Sequence, residues 1–305
     1  MPPRKKVVWR ENISKLTISP KQTISFSILT MDLPFITIPP SAPHTHTVIF
    51  LHGRGDTAKT FVSSLTYSTD SHNRTLQEIF PSFRWVFPQA EMRECAALPG
   101  NKMSQWFDVW NVNNFSERED LQATGLRESV ASIRRLLSSE ASILGGQWDH
   151  LVLAGISQGG ATSVHTLLAL SLRPAVEGQQ EVPRRLGAFL GFSCRMPFPG
   201  KSLTETRRVL ALDSVPDTDE VIRNTPMLLE HCVDDPLVLV GNGRDLRDTL
   251  RGFGARVTWK EYPKGGHWFN SPAGIDDAVE FLNCQVLKNL STGGNLSLLD
   301  SMDSS

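Results

Sequence analysis

The chain has 305 residues, 40% hydrophobic and 21% charged, and its 31 basic and 32 acidic residues leave a formal net charge of −1. There is apolar material for one large core, while a balance this close to neutral gives no field for nucleic acid; the basic run Pro3 to Lys6 is too short to form a patch. Cys95, Cys194, Cys232 and Cys284 lie far apart with no C-x-x-C pair, which fits a reducing compartment better than a disulfide framework.

The first residues lack the apolar centre of a secretory signal, and no stretch has the apolar length of a membrane span, so a cytoplasmic location is expected. The sequons at Asn12, Asn73, Asn114, Asn289 and Asn295 then go unused. Residues 1–31 carry Arg4, Lys5, Lys6, Arg10, Lys15 and Lys21 against Glu11 alone, a balance that also allows organellar import as a minor alternative.

In chain order, "TISFSILT" (Thr23 to Thr30) alternates with period two and reads as an antiparallel strand added at a sheet edge. "TVIFL" ending at Leu51, "FRWVFP" ending at Pro88, "HLVLAG" ending at Gly155, "LGAFLGFS" ending at Ser193 and "PMLLEHC" ending at Cys232 are nearly continuous apolar runs, as strands covered on both faces are; "RVTWKEY" ending at Tyr262 is a more polar strand. Between them lie helical stripes: Leu126, Val130, Ile133 and Leu137; Leu246, Leu250 and Phe253 before a stop at Gly254; Ile275, Val279 and Leu282. Strands alternating with helices predict an α/β fold with a mostly parallel central sheet and helices on both faces. One domain is expected over residues 41–290, with residues 1–40 as an N-terminal extension, 173–185 as a surface insertion and the Gly- and Ser-rich 291–305 as a disordered tail.

The chemistry centres on "AGISQGG". A strand that ends near Gly155 and turns at Ser157 into a helix beginning near Gln158 forces the serine into a tight, strained turn and lifts its hydroxyl clear of the sheet. The same turn aims the N–H of Gln158 at a point where an oxyanion could be stabilised. A serine nucleophile needs a base, and the base needs an orienting carboxylate. "HCVDDPLV" places Asp235 just past a strand end, with Asp234 as the neighbouring alternative, and "YPKGGHW" places His267 on a Gly-rich loop between the last strand and the last helix. "VIFLHGRGDTA" supplies a second oxyanion donor, the N–H of Arg54. His165 is too far along its helix to compete as the base, His231 lies in or at the end of a strand, and the pair His44 and His46 lacks acidic or cysteine company, so no metal site is expected.

Together "LHGRGDTA", "FPQA", "QWFDVW", "GISQGGATS", "HCVDDPLV" and "GGHW" resemble the acyl-protein thioesterase and carboxylesterase family of α/β-hydrolases, most closely its fungal branch, from about Val48 to the last helix. The resemblance implies the α/β-hydrolase fold and a cofactor-free serine hydrolase of thioesters or oxyesters. Ser157 would be its nucleophile, His267 its base and acid, Asp235 the orienter, and the amides of Arg54 and Gln158 the oxyanion hole. Trp106, Phe107, Trp110 and Trp268 are candidate walls of the substrate groove, and Asp108 is expected to hold a loop through backbone N–H bonds. "AEMRECAALPGNKMSQ" carries Glu91, Arg93, Glu94 and Lys102 where the family's lid segment is largely apolar. The implied partner is an acylated protein or a small ester, with no nucleic acid and at most transient membrane contact. The alternatives are a short-chain small-molecule esterase and a catalytically silent hydrolase scaffold that binds a partner.

Overall fold

Unbroken apolar strands are stable only when helices cover both of their faces. The computed structural model describes residues 33–172 and 184–287, together with the backbone of 17–19, 22–23 and 25–27. The basic N-terminal run, the insertion up to residue 183 and the tail from Ser291 lie outside the described residues.

Among the described residues the central sheet has eight strands: β1 (Ser25–Ser27), β2 (Phe35–Ile38), β3 (His46–Leu51), β4 (Phe83–Pro88), β5 (Leu151–Ile156), β6 (Ala188–Phe192), β7 (Met227–Cys232) and β8 (Val257–Tyr262). Their spatial order is β1-β2-β4-β3-β5-β6-β7-β8. The β1–β2 and β2–β4 pairs are antiparallel and the rest are parallel. β3, β5, β6 and β7 are buried at every residue, whereas β8 closes one edge and is mostly half-buried, which explains why its sequence is the most polar of the parallel strands.

The helices are α1 (Ala58–Leu65), α2 (Leu76–Ile79), α3 (Gln122–Ile143), α4 (Gln158–Leu168), α5 (Leu203–Val209), α6 (Glu220–Asn224), α7 (Val240–Gly252) and α8 (Ala273–Leu282). Two cores form, one on each sheet face. On one, Leu126 and Ile133 of α3, Val164 of α4 and Leu246 of α7 meet Ile49, Leu153 and Phe189. On the other, Phe61 of α1, Leu76 of α2 and Phe281 of α8 meet Phe50, Val152 and Leu190. Neighbouring strand residues thus go to opposite cores, as the pleat requires.

The sheet reaches further toward the N-terminus than the expected boundary at Ser41. Phe35–Ile38 is buried at all four residues and sits between β1 and β4. Flanked by Pro34, Pro39 and Pro40, this four-residue run is too short to stand out as a strand from sequence. Cys95, Cys194 and Cys232 are buried and Cys284 half-buried, and none is in a disulfide. Among the described residues, no helix is long and apolar enough to cross a membrane.

Candidate active site

Ser157 stands between β5 and α4, at the carboxyl end of a central strand, with φ 56° and ψ −123°. A non-glycine residue adopts this backbone only when its surroundings hold it there. Two glycines make the turn fit: a Cβ on Gly155 would lie 2.5 Å from the carbonyl carbon of Gly159, and one on Gly159 would lie 2.4 Å from the carbonyl oxygen of His52. The Ser157 N–H donates to the Phe192 carbonyl at 2.9 Å, tying the turn to β6. Gln158 opens α4, and the first N–H groups of a helix have no carbonyl of their own helix to bond. Across the turn lies the β3–α1 loop, where a Cβ on Gly53 would sit 3.5 Å from the Ser157 Cβ, so the backbone entering Arg54 runs alongside the serine.

Asp235 follows β7, and its side chain is wholly buried. One carboxylate oxygen, Oδ2, accepts the Nδ1–H of His267 at 2.8 Å; the other, Oδ1, accepts the N–H groups of Leu237 and Val238, each at 2.9 Å. His231 Nε2 lies 3.3 Å from Oδ2 and 2.7 Å from the Val238 carbonyl, so a second imidazole buttresses the carboxylate from within the sheet. Burial pushes the Asp235 carboxyl up, but hydrogen bonds from His231, His267 and the Val238 N–H more than offset this and hold it well below the usual carboxylate range. Asp234 acts on the loop instead, its Oδ1 accepting the Gly266 N–H at 2.8 Å and so pinning the segment that carries His267. With Nδ1 donating to Asp235, the His267 Nε2 is left as the acceptor.

Ser157, His267, Arg54, Gln158, Phe107 and Trp268 line one cavity of about 410 Å³. Trp106 and Trp110 do not, which corrects the expectation for both. Trp106 is 1% exposed and turned into the core, its indole N–H donating to the His52 carbonyl at 2.8 Å. Trp110 turns outward, donating to Glu117 at 2.8 Å with the Arg118 guanidinium 4.6 Å above its ring. Their segment is neither helix nor strand, so no periodicity fixes which side each ring takes. Asp108 accepts the N–H groups of Ala96 and Val109 at 2.8 and 2.9 Å.

The charged lid segment folds as a hairpin of Met92–Glu94 with Lys102–Ser104, where Arg93 pairs with Glu91 and Glu128, and Lys102 with Glu94. None of these paired charges lines the cavity, whereas Met103 of the same hairpin does. Arg54 is held aside, its Nε donating to Gln105 at 2.8 Å and its Nη2 4.0 Å from Asp108.

Three contributions go beyond the roles read from the sequence. His231 supports Asp235. The Gln158 side chain clamps the aromatic segment, accepting the Trp106 N–H at 2.9 Å and donating to the Phe107 carbonyl at 2.6 Å. Arg195, 6% exposed, lines the cavity from the loop after β6. One signal was available for Arg195: the loops at the carboxyl ends of parallel strands are where such sheets gather ligand-binding side chains.

A mostly parallel sheet in this strand order, with a serine and a histidine lining one cavity at its carboxyl edge and a buried aspartate paired with the histidine, is an α/β-hydrolase. Residues 33–286 match the profile of the phospholipase/carboxylesterase family, and the chain belongs to that family. It is 29% identical over 255 residues to acyl-protein thioesterase 1 of Gibberella zeae, covering 82% of this chain and 95% of the relative. It is 28% identical over 212 residues to acyl-protein thioesterase 1 of Schizosaccharomyces pombe, covering 69% and 77%. The crystal structure of Zea mays acyl-protein thioesterase 2 superposes with a TM-score of 0.62 at 24% identity, covering 83% of this chain and 98% of that one, a likeness of fold.

Proposed function

We propose that this protein is a serine hydrolase that cleaves carboxylic thioesters and oxyesters through an acyl-enzyme. The carrying observation is the 2.8 Å His267–Asp235 pair facing the cavity in which Ser157 is held at φ 56°. His267 Nε2 takes the proton of the Ser157 hydroxyl as its oxygen attacks the acyl carbonyl. The N–H groups of Arg54 and Gln158 receive the oxyanion. As the tetrahedral intermediate collapses, His267 returns the proton to the departing thiolate or alkoxide and leaves the acyl group on Ser157. Water, deprotonated by the same imidazole, then attacks, and the acid departs. Buried and doubly bonded from the backbone, Asp235 holds the imidazole in the required tautomer.

The names of the fungal relatives support an acylated protein as substrate, met in the cytoplasm with at most transient contact with a membrane surface. A small ester reaching the same cavity follows the same chemistry. The test is labelling by a fluorophosphonate together with kcat/KM for paired oxyesters and thioesters of two to sixteen acyl carbons. Labelling of the wild type and not of Ser157→Ala is expected, with turnover in the first only; a folded wild type that takes no label returns the chain to the silent-scaffold reading.

A further inference from the structure

Arg195 and Arg207 are both buried, at 6% and 9% exposure, but they are used differently. Arg207 donates from Nε, Nη1 and Nη2 to the carbonyl oxygens of Leu168, Pro216 and Thr218 at 2.8, 3.0 and 2.8 Å. Its fork is filled, and its role is structural. Arg195 donates from Nη2 to Gln122 Oε1 at 2.7 Å, and among the described residues its other N–H groups have no protein partner and no carboxylate is ion-paired with it. The guanidinium lies over the Phe115 ring, 4.0 Å from its centroid, and 6.0 Å from that of Phe107. Ring stacking stabilises the cation through its flat face and leaves the in-plane donors unanswered. Burial lowers its pKa to about 10, against which Glu119 acts, so the group stays charged at neutral pH. Glu119 itself is engaged with the Phe198 N–H at 2.8 Å.

None of the Arg195 nitrogens is among the buried polar atoms that lack a partner, so its idle donors are open to the cavity, where water or an anion can accept them. Here the idle donors belong to a residue that lines the Ser157 cavity, whose other walls include Met103, Val109, Phe115 and Ala161. The cavity mouth is formed by exposed apolar residues, Leu237 at 59% and Val112 at 46% exposure. Arg195 is thus on the inner wall and Leu237 and Val112 at the mouth, an arrangement that suits an acyl group kept enclosed on the serine while the leaving group departs past the mouth.

We propose that the acyl group this cavity takes is that of a dicarboxylic half-thioester or half-ester, its methylenes against the apolar walls and its far carboxylate received by the Arg195 guanidinium. This rests on the serine-hydrolase reading. Water adds across the ester bond, releasing the thiol or alcohol and a free diacid. A volume of about 410 Å³ is within the range of small-molecule pockets.

The experiment compares kcat/KM for glutaryl thioesters with their neutral monoamides on one uncharged thiol, in wild type, Arg195→Met and Arg195→Lys. Wild type should favour the glutaryl substrate by about ten- to a hundred-fold, the contribution of a hydrogen bond to a charged group. That ratio should collapse in Arg195→Met and fall between in Arg195→Lys, which keeps the charge but loses the fork. Glutarate should raise the Tm of wild type and not of Arg195→Met. A third arm moves the anion to the thiol; an Arg195-dependent preference for that substrate alone overturns the acyl assignment. Fluorophosphonate labelling with no glutaryl preference, or with one that Arg195→Met and Arg195→Lys both keep, overturns the proposal and leaves the hydrolase standing. Glutarate binding through Arg195 without labelling keeps the anion pocket and removes the hydrolase reading instead.

Discussion

The reacting end of the cavity and its acyl wall are held by different means. At the reacting end, Ser157 is fixed by a strained backbone between a strand and a helix, and Asp235 by two backbone N–H groups besides its two imidazoles. The acyl wall is assembled from side chains: Phe107 hangs on the Gln158 amide, and Arg195 leans on Gln122 and Phe115. Backbone-fixed groups tolerate almost no substitution without loss of chemistry, whereas a wall of side chains can change its substrate and keep its reaction.

The largest test of this contrast is Ser157→Ala, which should lower turnover by about a million-fold with no loss of Tm; activity above about a thousandth of wild type would remove the serine from its role. Next come the two adjacent carboxylates. Asp235→Asn should cost about ten-thousand-fold in kcat by disturbing the His267 tautomer. Asp234→Asn keeps an oxygen for the Gly266 N–H and should stay within about ten-fold, since no reacting group is removed. Equal losses would mean that the loop, and not the Asp235 carboxylate, limits the reaction.

A stability measurement probes the helix beneath the serine. Burial holds the pKa of His165, on α4, down to about 4 from 6.5, the hydrogen bond with the Pro197 carbonyl opposing this and Arg195 adding to it. The unfolded chain therefore takes up its proton first as pH falls. This contribution is whole above pH 6.5 and is lost progressively toward pH 4, about 2 kcal/mol having gone by pH 5. Urea unfolding at pH 7 and pH 5 should show that loss in wild type, and His165→Gln, which cannot titrate, should show a loss smaller by about that amount. The smallest effect belongs to the acyl wall: Phe107→Ala should raise KM by about ten-fold through lost apolar contact with little change in kcat, whereas Trp110→Phe should change neither by more than about two-fold.

The same contrast explains how much was legible in the sequence alone. The turn at Ser157 admits few sequences, since Gly155 and Gly159 have neighbours that exclude a side chain, so chemistry and backbone write one signature. Asp235 stands just past an apolar run and His267 on the Gly-rich loop after a more polar strand; the sequence already preferred Asp235 to Asp234, and the hydrogen bonds give the two carboxylates separate partners. Aromatic residues in an irregular loop carry no comparable directional signal. Trp106 and Phe107 are adjacent and both buried, yet only the second meets the cavity. Arg195 carried only the weak signal of its loop at a strand's carboxyl end, for a related reason: an arginine after a strand reads as surface until its burial against Phe115 is known. The short β2 was hidden among prolines, and α1, α5 and α6 lacked a long apolar stripe.

The sealed thiols make the molecule a gauge of its own breathing. Electrophiles such as maleimides react with thiolates, and burial raises the thiol of Cys194 to about 12 and that of Cys232 to about 11, nearby carboxylates adding to the second shift. Cys194 packs against Gly160 and Gly191, behind the helix that carries Ser157, while Cys232 lies under the loop that carries His267, its sulfur in the space a Cβ on Gly265 would need. Each sulfur is alkylated only when its own side of the active site opens. Two alkylation rates, followed by mass spectrometry without substrate, therefore time the two sides separately and reveal which of them loosens first.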